Sequence, residues 1–204
     1  MKRVLKLNTR EVVETMYRDV YQVSDPILLK QLVDASHEWQ VAKKCTLLHT
    51  GGIPEYLFFL LKGVVRGFFL DREGKDITDC LFSDFGSAIW PSMSLNDAAR
   101  INLEAISDCI VLKLSVTDIQ RLMPQFPEMM MIYNRLLEHS LFYHWELKTM
   151  MYQCTAQERY EWFLKKYPGI IDQISHKYIA SFLGMNPVTL SRLRKQYTNN
   201  DSKE

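Results

Sequence analysis

The sequence predicts an α+β protein: helices around a small antiparallel β-barrel or sandwich, then one long apolar helix, then a group of short C-terminal helices. Three observations carry this expectation. From His37 to Ser115, short apolar runs rich in aromatic and β-branched residues alternate with turn signals. Strands this short and this regularly punctuated favour antiparallel pairing over a parallel sheet. From 128 to 152, fifteen of twenty-five residues are apolar, more than a single buried helix face requires. From 174 to 196 the stretch ISHKYIASFLGMNPVTLSRLRKQ carries four Lys or Arg and no acidic residue, with a break at GMNP.

Composition sets the outer bounds. A chain of 204 residues, 47% hydrophobic and 24% charged, is a folded chain of one large or two small domains. The longest apolar run is YLFFLL, 56 to 61, far below the roughly 18 residues of a membrane span. The start has no apolar stretch of signal-peptide length, so a cytoplasmic protein without a membrane partner is expected. Cys45, Cys80, Cys109 and Cys154 lie 35, 29 and 45 positions apart, so no CxxC pair is present to hold zinc or an iron–sulfur cluster. His139 and His144 are five apart and do not share a helix face, and His49 has no His or Glu at ligand spacing. The sequence therefore offers no catalytic residue and no metal site, and an enzyme is not expected.

Net charge is only +1, but its distribution is uneven. From Thr155 onward there are eight Lys/Arg against five Asp/Glu, a net of +3, which leaves −2 for the preceding residues. That excess favours a C-terminal part facing nucleic acid.

Taken in order, TREVVETMYRDVYQVSDPILLKQLVDA predicts short amphipathic helices broken near Pro26. In the strand region, TLLHTGG leads into a turn, EYLFFLLKGVVRGFFLD reads as two strands around Gly63, and REGKD makes a hairpin loop at Gly74. CIVLKLS, 109 to 115, is a final strand, and SVTDIQRLM a capped helix before Pro124 and Pro127. A helix of the twenty-five residues from 128 would extend about 37 Å. Its second apolar side suggests a partner subunit, because a two-fold interface pairs one stripe with its own copy. TAQERYEWFLKKYPGI is a capped helix ended by Pro168 and Gly169, and the tail TNNDSKE is expected to be irregular.

In 174–196, a helix from about His176 to Leu183 places Ile179, Ala180 and Leu183 on one inner face. Gly184 can end it in the left-handed conformation. Asn186 then caps a second helix, with Pro187 at its first position, running to about Gln196. Leu190 and Leu193 point inward with Met185. Val188, Ser191, Arg192 and Lys195 form the opposite face, offering hydrogen-bond donors, two positive charges and methyl groups, which suits a DNA major groove.

The spacing of Ala180, Gly184 and these inward residues is similar to a helix-turn-helix. With HTGG...EYLFFLLKGVVRGFFLDREGKD ahead of it, the chain resembles the Crp/Fnr family of bacterial transcription regulators over nearly its whole length. The resemblance implies a jelly-roll-like antiparallel β-roll sensor, cyclic-nucleotide-binding-like, over 1–126. It also implies a long dimerisation helix over 127–153 and a helix-turn-helix domain over 154–204. It further implies a homodimer on a two-fold-related site in double-stranded DNA, with RNA polymerase as a further candidate partner.

The family's base-reading positions fall on Pro187, Val188, Ser191 and Arg192. Val188 stands where cyclic-AMP-responsive members have glutamate, so a different operator is expected. The full set expected at DNA is His176, Lys177, Asn186, Val188, Thr189, Ser191, Arg192 and Lys195. Other departures follow. Gly86 is followed by Ser87 and Arg100 by Ile101, where the family's nucleotide cassette has Gly-Glu and Arg-Ser pairs. The reading is thus against a cyclic nucleotide, no iron–sulfur or haem signature is present, and the effector is open. Its candidate contacts are Gly86, Ser87, Trp90 and Arg100, with an apolar pocket under Trp90, Met93 and Leu95. The wing that follows the recognition helix is expected to be reduced or missing. The competing reading is a ligand-binding module whose C-terminal helices contact protein.

Overall fold

The computed structural model describes residues 8–90, 92 and 94–201. Helix α1, Thr9–Thr15, starts in a capping box: the Asn8 side chain accepts from the Glu11 amide and the Glu11 carboxylate accepts from the Asn8 amide. Two amides that a helix start leaves open are thereby satisfied. The helix widens into a π-turn at Met16–Val20. Helix α2, Pro26–Ala35, begins with Asp25 as cap and Pro26 at its first position, which is why the chain breaks there.

The strands are β1 His37–Val41, β2 Thr46–Leu48, β3 Tyr56–Lys62, β4 Val65–Leu70, β5 Asp76–Phe82, β6 Ala88–Ile89, β7 Asn102–Ala105 and β8 Cys109–Ser115. They form two antiparallel four-stranded sheets, in the orders β1-β8-β3-β6 and β2-β7-β4-β5. The unbroken apolar run of β3 has a direct cause. Phe58 and Leu60 pack into the core between the sheets, while Leu57 and Phe59 pack on the other side, under the helices. A strand buried on both faces has no polar alternation to show. At the β4–β5 hairpin the Asp71 carboxylate accepts from the Glu73 and Lys75 amides, and Gly74 takes a positive φ of 77°, as the REGKD signal implies.

Helix α3, Val116–Leu122, is capped by Ser115, and α4, Pro127–Gln153, follows. Its 27 residues extend about 40 Å along the molecule. Met129 and Ile132 join the core formed with α1, α2 and α3, and Leu147 and Met150 join a separate core with the C-terminal helices. On the other side Leu141, Phe142, Trp145 and Tyr152 are 63%, 72%, 66% and 82% exposed. Then come α5 Ala156–Lys166, a 3-10 turn at Ile170–Asp172, α6 His176–Phe182 and α7 Pro187–Asp201.

One expectation needs correcting. Helix α7 does not stop near Gln196 but continues to Asp201, so Thr198–Asp201 are helical rather than irregular. Tyr197 explains the extension, because it still packs on the C-terminal core, 5.7 Å from the Tyr160 ring, and carries the helix onward. Residues 202–204 of that tail lie outside the described residues. No strand follows α7 among the described residues, and none of the described helices is long and apolar enough to cross a membrane.

The most unusual buried group is Arg66 on β4, only 2% exposed. Its two terminal nitrogens donate to both Asp76 oxygens at 2.6 and 2.7 Å, and Nε donates to Glu104, its neighbour across the β4–β7 pair, at 2.7 Å. Nη1 also donates to Thr78 Oγ1 at 3.2 Å. The guanidinium lies between two rings, Phe68 at 4.0 Å and Tyr178 of α6 at 3.9 Å. Burial alone would lower its pKa, but the hydrogen bonds to Asp76 and Glu104 outweigh burial and raise it. Removing one partner of such a cluster strands the others without compensation. Arg66→Ala is expected to destabilise the fold by about 3–5 kcal/mol and Thr78→Val by only about 1 kcal/mol, read from urea unfolding of the two variants.

Candidate nucleic-acid interface

The C-terminal helices are braced before they are aimed. Thr155 and Glu158 form a capping box at α5, and the Glu146 carboxylate of α4 accepts from Trp162 Nε1 at 2.9 Å and from Lys166 at 3.0 Å. Burial acts to raise the Glu146 pKa, yet these two partners hold it below the usual carboxylate value. Tyr143 and Tyr167 share a hydroxyl–hydroxyl bond of 2.8 Å, and Phe163, Tyr167 and Phe182 pack ring against ring. Helix α5 is thereby fixed to α4.

Helix α6 begins at Ser175, whose hydroxyl accepts from the Lys177 amide. Ile179 and Ala180 are fully buried, as is Leu183 at its end. The exit is a Schellman turn: the Met185 amide donates to Ala180 O at 2.9 Å and the Gly184 amide to Ser181 O at 3.1 Å, with Gly184 at φ +60°. A side chain at 184 would also lie 3.1 Å from Met151 Sδ. Asn186 then caps α7, its side-chain oxygen accepting from the Thr189 amide at 2.8 Å. These bonds set the angle between α6 and α7.

On α7, Leu190 is buried and Leu193 packs on the same core with Met185. Val188, Ser191, Arg192 and Lys195 are exposed together on the other side. Val188 is 59% exposed, so its presence there is not explained by packing. Of the remaining expected contacts, Lys177 is exposed and Thr189 half-buried. Asn186 is exposed but its side-chain oxygen is committed to the cap. His176 is exposed and its Nε2 is hydrogen-bonded to Arg194, which also pairs with Asp172 at 2.7 Å. His176 thus borders the exposed face through an intramolecular bond.

Sequence reasoning missed how α6 meets the roll. Ser181 accepts from the Thr78 amide at 2.9 Å and donates to Asp76 O at 3.2 Å, one turn along from Tyr178, which covers Arg66. The i, i+3 spacing of Tyr178 and Ser181 marks a shared side of α6. Nothing local in the sequence pairs it with β5.

The four candidate effector residues are not brought together. Ser87 and Trp90 line a cavity between the roll and α4. Gly86 is buried behind it and its carbonyl accepts from Tyr21 OH at 2.6 Å, while Arg100 is exposed and does not line the cavity. Leu95 lines the cavity as well, and Met93 lies outside the described residues.

No protein-family model matches the chain, and no curated protein matches it either. Solved structures do. FixK2 from Bradyrhizobium japonicum superposes with a TM-score of 0.73 at 18% identity, covering 81% of this chain and 86% of that one. The c-di-GMP-responsive global regulator CLP from Xanthomonas campestris gives 0.69 at 13% identity, over 87% of this chain and 93% of its own. A protein from Eubacterium rectale assigned to the Crp/Fnr family of transcriptional regulators gives 0.69 at 16% identity, over 90% and 88%. The fold is that of the Crp/Fnr regulators: a β-roll, a long helix and a helix-turn-helix.

The turn between α6 and α7 gives a direct check of this geometry. Gly184→Ala is expected to cost roughly 1–2 kcal/mol through the left-handed backbone, and Asn186→Ala about 1 kcal/mol through the lost cap. Thermal unfolding of each variant measures both.

Proposed function

We propose that the chain is a Crp/Fnr-type transcription regulator that binds DNA sequence-specifically, as a homodimer on a two-fold-related operator, under control of an effector held at the roll. The division expected from the sequence serves this reading: sensor to 126, dimer helix to 153, DNA-binding helices beyond. One observation carries it above the others. On α7 an apolar side is buried, and Val188, Ser191, Arg192 and Lys195 stand exposed on the opposite side of one continuous helix. Among the described residues Arg192 and Lys195 form no ion pair, so both charges are available to an outside partner. Arginine is suited to guanine O6 and N7, lysine to phosphate, and the Val188 methyls to thymine. Lys177, at the start of α6, adds a second phosphate contact.

Helix α4 supports the dimer reading, since exposed Trp145 lies one helical turn beyond exposed Leu141 and Phe142. A second copy of this helix, crossing about a two-fold axis, removes that apolar surface from water. Phe142→Glu is expected to yield a monomer by light scattering where the unchanged chain has twice the chain mass.

Selection from a random duplex pool is expected to return a palindrome with half-sites one helical turn apart, about 34 Å. Arg192→Ala should cost about 1–3 kcal/mol and relax preference at one base position. Lys195→Ala should weaken all sequences alike and lower the salt slope by about one. Recovery of no DNA even at low salt would instead favour protein contacts by the C-terminal helices.

A further inference from the structure

Helix α7 carries three cations close together, Arg192, Arg194 and Lys195, but they are not equivalent. At about 100° per residue, Arg194 falls beside the exposed face of Val188, Ser191, Arg192 and Lys195, on the flank that adjoins buried Leu190. It is half-buried where Arg192 and Lys195 are exposed. One terminal nitrogen donates to Asp172 Oδ1 of the 3-10 turn at 2.7 Å, and the other meets His176 Nε2 at the start of α6. Buried Tyr160 of α5 feels the same charge: burial raises its phenol above the ordinary tyrosine value, and Arg194 acts against that rise. A single guanidinium thus joins α7 to α6 and to the 3-10 turn.

The chemistry of this tie fixes the state of the histidine. Arginine has donors only, so His176 Nε2 accepts. The proton of the neutral ring is then on Nδ1, and the imidazolium, in which both nitrogens donate, is excluded. Protonation removes the acceptor and sets a second cation against Arg194, leaving Asp172 as the remaining anchor. The ionisable groups around His176 are Arg194 of α7, Asp172 of the 3-10 turn and Lys177 of α6, with Tyr160 of α5, packed on Tyr197, beside the guanidinium.

The tie sits where the heading of α7 is decided. The start of the helix is fixed by the Asn186 cap, and its Leu190 and Leu193 contacts are non-directional. Arg194 lies eight residues beyond Asn186, about 12 Å along the axis and past Ser191 and Arg192. A directional anchor at that distance sets where the exposed face points. We infer that Arg194 is a positioning residue for DNA reading: held by Asp172 and by neutral His176, it fixes α7 on α6, and protonation of His176 opens the tie. This rests on the regulator reading above, and it assigns His176 to the support of α7 instead of to DNA. Histidine changes charge between about pH 5 and 8, so the tie is made above that range and lost below it. A misaimed helix loses base contacts while phosphate attraction persists, so acid lowers discrimination between sequences.

The test uses the full chain, the palindrome returned by selection at about pH 7.5, and a scrambled duplex of the same composition. The ratio of the two affinities is expected to fall about three- to fivefold on going to about pH 5.5, a modest change because the tie is partly exposed. His176→Gln places an amide oxygen near the Nε2 position, an acceptor that does not titrate. Its ratio should be the same at both pH values, although His37, His49, His139 and His144 remain. Arg194→Ala, checked for folding by circular dichroism, should show the lowered ratio at both. Without DNA, histidine nitrogen resonances should show His176 as the Nδ1–H tautomer at about pH 7.5, and its protonation should shift the Arg194 side-chain nitrogens. A ratio indifferent to pH in the unchanged chain, a pH response that persists in His176→Gln, an Arg194→Ala ratio equal to that of the unchanged chain, or an Nε2–H tautomer each overturns the proposal. The Nδ1–H tautomer and its coupled shift, found without any preferred duplex, sink only the regulator reading.

Discussion

Arg66 is the interaction on which the rest of the arrangement depends. A buried guanidinium is tolerable only if its donors and its faces are both occupied. Here Asp76 and Glu104 take the donors, and Phe68 and Tyr178 cover the faces. Three of these four residues belong to the roll and the fourth to α6. The charge therefore cannot be fully enclosed by the sheet alone, and the helix-turn-helix completes its enclosure. Ser181 adds direction, because it joins backbone atoms of β5 on either side of Ile77 and admits little sliding.

Much of this fold was legible in the sequence because its signals are local. Pro26 and Asp25, Ser115, Thr155 with Glu158, and Gly184 with Asn186 each announce an element end through bonds made within a few residues. The two sides of α7 sort as spacing implies, since a single helix maps sequence onto surface by rotation alone. What escaped was non-local. Arg66 finds partners at 76, 104 and 178, and no periodicity links those positions. The α7 extension escaped for a related reason: TNN is a poor helical sequence, and Tyr197 overrides it by packing on Tyr160. The effector residues carried over by resemblance scattered, because Tyr21 and Val20 seal Gly86 from behind.

Helix α4 explains why a composition rich in apolar residues on both sides is useful. Its first half walls the cavity through Ile132 and Leu136, its second half anchors the C-terminal core through Leu147 and Met150, and Phe142 and Trp145 face outward between them. A single helix thus touches the cavity beside the roll, the proposed partner copy and the C-terminal helices.

The bracing at Glu146 has a mechanical corollary. The C-terminal helices are held at two points, to α4 through Trp162 and Lys166 and to the roll through Tyr178 and Ser181. A body held at two supports keeps its heading only while the supports keep their separation. Any change in how the roll sits on α4 must either turn the C-terminal helices as a unit or break one mount, so their heading follows the gap between sheet and rod.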